Sequence, residues 1–427
     1  MANIPLIIII AVIYGLIIAI YSIQDKNYAA FSLLGCILAV LITTIFYPLN
    51  LNIIIGYINF QAIIILISLS IIVRIARESK ILEWIAFKLF NISKGNERRF
   101  FYLICVITTL ISSMISGIVV IIVLAPIVIR LCYYIKIPSG TFLLGMTLCI
   151  NIGSLLFPWK NIIISTHFNL DPLFYFKYIW GYAFLSLFLT IFIIDFFWLS
   201  KEPGVEAEQK KIVLELIDTE VIIEDKKTFY FNSISILIIF SLFIILPLLY
   251  LTAAVSAIFL ILFNKKRENI AVSLKSIEWD FIFFFGVSYI MVGLLSEAGL
   301  KDLIRLLPLE ILPVNILILI LTLLVLIVIS FLPDTPTALI FIPFVEVLLL
   351  NNETYFLPIM ISFLVTFNLG GNFLPQGSSC DMLTLQLANE HQVINLNFKR
   401  LLKVGALITT LHLLILIMFT NLLIYLI

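Results

Sequence analysis

The sequence predicts an all-α polytopic membrane protein with about 10 transmembrane helices and two re-entrant hairpins. Sixty-three percent of the 427 residues are hydrophobic and 12% are charged. The mean hydropathy of +1.20 is far above that of soluble domains. Apolar segments of about 20 residues, the length that crosses the hydrocarbon core, recur along the chain. Helix-breaking residues inside them recur at a constant offset, which indicates two related halves.

Ten segments are long and apolar enough to be spans. The first lacks the basic flank and the small-residue cleavage site of a signal peptide, so we expect it to be a transmembrane helix. The ten predicted spans are 4–22, 28–47, 53–73, 139–165, 173–199, 230–249, 251–264, 279–296, 355–387 and 401–427.

Two further apolar blocks, 100–135 and 311–350, are interrupted near their middles by small polar residues with Gly or Pro. The interruptions read Ser112-Ser113-Met114-Ile115-Ser116-Gly117 and Pro333-Asp334-Thr335-Pro336-Thr337. Such a break suits a chain that enters the membrane and turns back, so we predict a re-entrant hairpin in each block. Short amphipathic segments before the hairpins, 80–93 and 299–308, are predicted to lie at the membrane surface.

The positions of Lys and Arg predict the orientation, because cytoplasmic loops carry an excess of them. With the N-terminus outside, 22 of the 26 Lys and Arg residues lie on the cytoplasmic side. Lys177, Lys301 and Arg305 then lie outside, and Lys160 lies within the membrane. We therefore expect a multi-pass protein of the cell (plasma) membrane with both termini extracytoplasmic.

Helix-breaking and polar residues recur in the two halves at one constant offset and with the same internal spacing. The pairs are Pro126 and Pro343, Asn151 and Asn368, Gly153 and Gly370, and Pro158 and Pro375. Because each half contains five crossings and one hairpin, the second half should be inverted relative to the first. The predicted organisation is a first repeat at 1–199, a cytoplasmic linker at 200–229 and a second repeat at 230–427.

Paired interruptions in corresponding halves indicate the binding site of a transporter. Unwound backbone at membrane depth is tolerated only in a cavity or inside protein, so the hairpin tips and the broken helices 139–165 and 355–387 are the candidate region. The predicted substrate-binding residues are Ser116, Asn151, Gly153, Ser154, Lys160, Asn161, Thr335, Thr337, Asn368, Gly370, Gly371, Gly377 and Ser378. The predicted residues for cation or proton coupling are Asp334, Asp381 and Asn368.

Several of these residues also have a purely structural interpretation. A cation at bilayer depth costs about 2.5 to 3.5 kcal/mol on insertion scales, so Lys160 either snorkels to the outer interface or binds an anionic substrate. Asn151 and Asn368 either cap a neighbouring half-helix or face the ligand. Asp334 and Asp381 are either coupling carboxylates or solvated carboxylates at the membrane rim.

The sequence contains no motif that indicates another class of function. The five cysteines are scattered singly in apolar segments, which is typical of small core residues. The three histidines are dispersed, so we expect no metal beyond a transported Na⁺, and no cofactor. A nucleotide-binding motif and a nucleophile with its base are missing from the sequence, so neither ATP drive nor an enzyme is expected. The net charge of +1 gives no indication of a nucleic-acid partner.

The runs NIGSLLFPWKNIIIS and NLGGNFLPQGSSCDM, each after a hairpin ending in LAP or FIP, resemble the ion transporter superfamily. The resemblance covers nearly the whole chain and is to divalent anion/sodium symporters and citrate-type permeases, with arsenite permeases and NhaD-type antiporters as relatives. In the symporters, Ser-Asn-Thr motifs at the tips form sodium and carboxylate sites. The tips here read Ser116-Gly117-Ile118 and Asp334-Thr335-Pro336, and Asp381 stands where that family commonly has asparagine.

The sequence therefore predicts a secondary active transporter that moves a small anion, a carboxylate or oxyanion, coupled to Na⁺ or H⁺ by alternating access. A sodium/proton antiporter or an arsenite-type permease is the alternative within transport. A non-transporting membrane binding or sensor protein is the third hypothesis, since the first tip has lost the family's usual ligands. Expected partners are the lipid bilayer, the anionic solute and the coupling cation, and the resemblance suggests a homodimer.

Overall fold

The computed structural model describes residues 3–22, 27–202, 223, 225–246, 248–264, 274–275, 277–307, 311–332 and 334–426. Over these residues the chain forms helices and turns without a β-strand. Nine helices in the described part are long and apolar enough to cross a membrane, or 10 if the bent pair Gly140–Gly153 and Pro158–His167 is one span. The prediction of an all-α polytopic membrane protein is confirmed.

The helices follow the predicted segments. In the first half they are α1 Ile4–Ser22, α2 Tyr28–Phe46, α3 Leu51–Gly56, α4 Phe60–Glu78, α5 Ile81–Ser93, α6 Glu97–Ser112, α7 Gly117–Tyr134, α8 Gly140–Gly153, α9 Ile162–His167 and α10 Trp180–Phe197. In the second half they are α11 Lys226–Ile245, α12 Leu249–Phe263, α13 Trp279–Glu297, α14 Leu300–Arg305, α15 Val314–Ile329, α16 Asp334–Asn351, α17 Phe356–Leu369, α18 Ser379–Glu390 and α19 Phe398–Leu426. Most of the linker predicted at 200–229 lies outside the described residues.

The third span begins later than its predicted start at residue 53. The Asn59 side chain accepts a hydrogen bond from the Ala62 backbone N–H at 3.1 Å, which is the usual way in which asparagine caps a helix N-terminus. The short helix α3 precedes this cap, and α4 therefore covers Phe60–Glu78.

The two halves contain helices of matching bounds. Each predicted hairpin consists of two helices, called its arms: α6 and α7 in the first half, and α15 and α16 in the second. The bounds of α6 and α15 differ by the offset that separates Pro126 from Pro343, and so do the bounds of α7 and α16. The second arm of each pair contains the matching proline. Helices α4 and α13 are also of equal length, but the offset between them is larger by two, which agrees with a short insertion or deletion between these helices and the arms.

Contacts between the halves are reciprocal. Helix α4 packs against α12, and its counterpart α13 packs against α2, the counterpart of α12. In the same way, α7 contacts α18 while α16 contacts α9. An exchange of matching partners is what a two-fold relation between two copies produces.

Polar contacts link residues near both predicted ends of the membrane-spanning helices. At the predicted cytoplasmic ends, the Thr141 hydroxyl donates to Glu202 at 2.5 Å and accepts from Arg400 at 2.7 Å. At the predicted outer ends, Lys301 pairs with Glu346 at 2.7 Å. Burial raises the pKa of the Glu202 carboxyl, and the Thr141 hydroxyl partly offsets this effect.

The close contact of the broken helix α8 with the arm α6 predicts a steric effect at Gly153. A Cβ there would overlap the Ser112 hydroxyl and the Thr109 backbone carbonyl, whereas nothing lies within 4 Å of a Cβ at Gly15 in α1. Gly153→Ala should therefore destabilise the protein by about 1–3 kcal/mol. The matched control Gly15→Ala should be neutral or stabilising because alanine favours a helix. Thermal unfolding of the two purified variants tests this, and equal melting temperatures would contradict it.

Candidate functional site

The two hairpin tips and the two broken helices enclose a cavity of about 260 Å³. Most of the predicted site residues line it, namely Ser116, Asn151, Ser154, Lys160, Asp334, Thr335, Asn368, Gly371, Gly377 and Ser378. Both halves of the chain therefore contribute to one site. The volume is slightly below the usual range of small-molecule sites, about 300–1,000 Å³, and suits a small solute.

The sequence does not predict that α1 and α13 also line the cavity. Tyr21 at the end of α1 and Phe281 in α13 line the cavity, and the Tyr21 ring stacks on Phe284 with 4.0 Å between ring centroids. An aromatic residue inside an apolar helix carries no local signal of a site. Only the packing of α1 and α13 beside the second hairpin brings these rings to the ligand space.

The remaining predicted residues lie outside the cavity lining: Gly153, Asn161, Thr337, Gly370 and Asp381. The two glycines hold each broken helix against the first arm of a hairpin. Gly153 faces Ser112 of α6, and a Cβ at Gly370 would lie 2.7 Å from Ile329 of α15. Because Ile329 is the counterpart of Ser112 in the repeat, the same close contact occurs in both halves.

Hydrogen bonds between asparagines join the two broken helices, and they too occur as a matching pair. The Asn368 side-chain amide donates to the Asn161 oxygen at 2.8 Å. The Asn151 amide donates to the Ser378 hydroxyl at 3.2 Å and to the Asn372 oxygen at 2.6 Å. Ser378 is the counterpart of Asn161, so the bond from Asn151 to Ser378 matches the bond from Asn368 to Asn161. The bond from Asn151 to Asn372 is an additional one. Since these nitrogens have partners, the side-chain oxygens of Asn151 and Asn368 are the atoms left for a ligand.

Lys160 lies at the cavity and is held at the first hairpin tip. Its ammonium donates to the Ile115 carbonyl at 2.9 Å, and the neighbouring Trp159 indole donates to the Ser113 carbonyl at 2.8 Å. An ammonium has three donors, so two remain beyond the bond to Ile115. The cavity also contains Gly117, the first residue of α7, where helix N–H groups lack intrahelical partners. This side of the site is electropositive.

Two carboxylates lie at or beside the same cavity, and one of them, Asp334, is close enough to Lys160 to interact with its charge. Asp334 begins α16 and lines the cavity. Asp381 lies in α18 and is fully buried next to the cavity-lining Cys380. The Thr147 hydroxyl donates to its Oδ1 at 2.6 Å, while its Oδ2 has no hydrogen-bond partner among the described residues. A buried carboxylate that is only partly hydrogen-bonded is costly for the fold.

The repeat provides an internal control for the three charged residues. Each of them matches an uncharged residue at the corresponding position of the other half, and the pairs are Lys160 and Gly377, Asp334 and Gly117, and Asp381 and Ile164. Thr147, the partner of Asp381, corresponds to Leu364, which is fully buried. The same local structure forms in the other half without these charges, so the helices do not depend on them to reach these bounds.

Comparisons with known proteins agree with this architecture. The model of a protein family described as citrate transporter matches residues 6–332. Over 253 residues the chain is 25% identical to an uncharacterized transporter of Mycobacterium tuberculosis, covering 57% of this chain and 58% of that relative. It is 24% identical over 257 residues to an uncharacterized transporter of Mycobacterium bovis, covering 58% of each.

A more distant match is the human P protein, 25% identical over 146 residues, which are 34% of this chain and 17% of that protein. The matched segment spans less than two thirds of the length of each of these curated relatives.

The bond between Asn161 and Asn368 predicts energetic coupling between the broken helices. Asn161→Ala and Asn368→Ala should each lower the melting temperature, and the double variant should lose less than the sum, with a coupling of about 1 kcal/mol. As a control, Asn161→Ala combined with Asn421→Ala should be additive, because the Asn421 side chain bonds to its own helix. Additive effects in the Asn161 and Asn368 pair would show that the bond contributes nothing.

Proposed function

The chain belongs to the citrate transporter family, and from this premise we propose a secondary active transporter that moves a small anion, a carboxylate or oxyanion, together with Na⁺ or H⁺. The observation that carries the proposal is a single cavity between the broken helices whose lining includes both a lysine, Lys160, and an aspartate, Asp334. A binding site of this kind, rather than a set of catalytic groups, supports transport and not an enzyme.

The anion is assigned to the side of Lys160. The two ammonium donors that do not bind Ile115 and the N-terminal N–H groups of α7 at Gly117 are all hydrogen-bond donors. Donors of this type bind carboxylate and phosphate-like oxygens with charge-assisted bonds. Ser116 and Ser154 line the same cavity and add hydroxyls.

The cation is assigned to the side of the aspartates. Asp334 and the side-chain oxygen of Asn368 face the cavity as acceptors, which are the ligands that a hard cation requires. Asp381 suits a proton better, because its environment offers one hydroxyl at Oδ1 and no further partner at Oδ2 among the described residues. The two carboxylates also favour the alternative, a sodium/proton antiporter in which Lys160 is structural.

Alternating access is proposed to come from the inverted repeats, 1–199 and 230–427, joined by the linker 200–229. The hairpins and broken helices would move as a body against the remaining spans. The reciprocal packing of α4 with α12 and of α13 with α2 supports such a scaffold. Tyr21 and Phe281 lie near the helix ends that the charge count assigns to the cytoplasm, so the described conformation is assigned to the cytoplasm-facing state.

Replacing Lys160 tests the anion site. Wild-type protein should be stabilised against heat by a member of a panel of citrate, succinate, acetate, phosphate and sulfate, at a suitable Na⁺ concentration or pH. Lys160→Met should weaken that binding by roughly ten- to hundredfold, the loss of about 1.5–3 kcal/mol for a charge-assisted hydrogen bond. Lys177→Met, at an exposed lysine, should bind normally. Cation-driven proton flux in Lys160→Met proteoliposomes without any anion dependence would favour the antiporter instead.

Replacing Asp381 tests proton coupling. Asp381→Asn removes the ionisable group while keeping the Thr147 contact, so anion exchange between proteoliposomes and medium should persist while uptake driven by a pH gradient is lost. Asp171→Asn, at an exposed carboxylate that caps the turn Pro172–Phe174, should keep both activities. Wild-type pH-driven uptake in Asp381→Asn would exclude this residue from coupling.

A further inference from the structure

We propose that the Lys160 ammonium is a built-in cation, fixed in the first half of the site in the place where the second half receives a mobile one. This inference deepens the proposed function, on which it rests for its consequence for coupling. The contact that carries it is the bond from the ammonium to the Ile115 carbonyl, 2.9 Å long, at the first hairpin tip.

The first tip is an electronegative end with a resident donor. Helix α6 ends at Ser112, and its dipole places partial negative charge on the carbonyls at this end. The two carbonyls that follow in the tip are bound by side chains from one segment, Ser113 by the Trp159 indole and Ile115 by Lys160. Carbonyls at half-helix ends are the groups that otherwise coordinate a transported cation. In this half, Trp159 and Lys160 bind such carbonyls instead.

The second tip has an aspartate and no lysine. Helix α15 matches α6 in length, and so ends in the same electronegative way. The residue that matches Lys160 is Gly377, where a Cβ would lie 2.6 Å from the Ile329 carbonyl oxygen, so no side chain fits between that backbone and the helix end. Instead of a lysine, the tip contributes Asp334 to the cavity. Its negative charge suits a cation that binds and dissociates during transport.

The consequence is that the two repeats have different roles in ion binding. The first tip holds its positive charge permanently and presents it to the anion, so it binds no transported cation. Only the second tip, with Asp334, binds and releases one. The bond to Ile115 also explains why Lys160 is tolerated at membrane depth, since its ammonium is hydrogen-bonded to the tip backbone rather than left without a partner.

The sign of a stability change tests this assignment without any transported solute. If Lys160 served only to receive an anion, its bond to Ile115 would add no stability to the unliganded protein, and Lys160→Met would raise or preserve the melting temperature. If it is the built-in cation, Lys160→Met leaves the Ile115 carbonyl without its donor and should lower the melting temperature by a few degrees. Lys177→Met, at an exposed lysine, is the matched control and should not change it.

A second variant covers the case in which Lys160→Met does not fold. Lys160→Ala opens space beside Ile115, and methylammonium chloride should raise its melting temperature in a concentration-dependent way, relative to potassium chloride of equal ionic strength. Wild-type protein and Lys160→Met, whose side chains fill the space, should not respond. A Lys160→Met variant as stable as wild type, or a Lys160→Ala variant indifferent to methylammonium, would overturn the proposal. Because chloride is equal in the two salts and no carboxylate or oxyanion is present, either result is independent of whether the protein transports such an anion.

Discussion

The constraint on which the rest of the structure depends is the need to satisfy interrupted backbone in a place that lipid cannot hydrate. Each half contains a helix that stops at a glycine and resumes after a proline, with a bend of 86° in the first half. Polar groups exposed by such a break cost several kcal/mol each in hydrocarbon. The protein meets this requirement by placing the two breaks against each other and against the hairpin tips.

The contacts that stabilise the two broken helices also form the cavity between them. The asparagine bonds between the halves and the glycine contacts with the hairpin arms bring the two breaks together. What remains between them is a small polar space that contains helix ends of both signs. Because one of these asparagine bonds is made by each half, matching groups from both repeats border this space.

The charged residues break this equivalence. Lys160, Asp334 and Asp381 each correspond to an uncharged residue in the other half, so the scaffold is symmetric while the electrostatic field is not. A symmetric cavity would treat the two ends of a ligand alike. An asymmetric one does not, because its charges come from different positions in the two halves.

Most of the fold and part of the candidate site could be predicted from the sequence. The rest of the site could not, for a physical reason. The spans follow from transfer free energy, which is a property of each segment, and the repeat follows from spacing along one chain, so both are determined by the sequence alone. The sequence predicts Asn151, Lys160, Asp334 and Asn368 as site residues because polar groups in apolar segments are costly wherever they lie. It does not predict Tyr21 and Phe281, and Gly153 and Gly370, expected at the ligand, lie against hairpin arms instead. Those features, and the pairing of Asn161 with Asn368, were decided only by the tertiary structure, because they depend on which surfaces meet after distant parts of the chain are packed together.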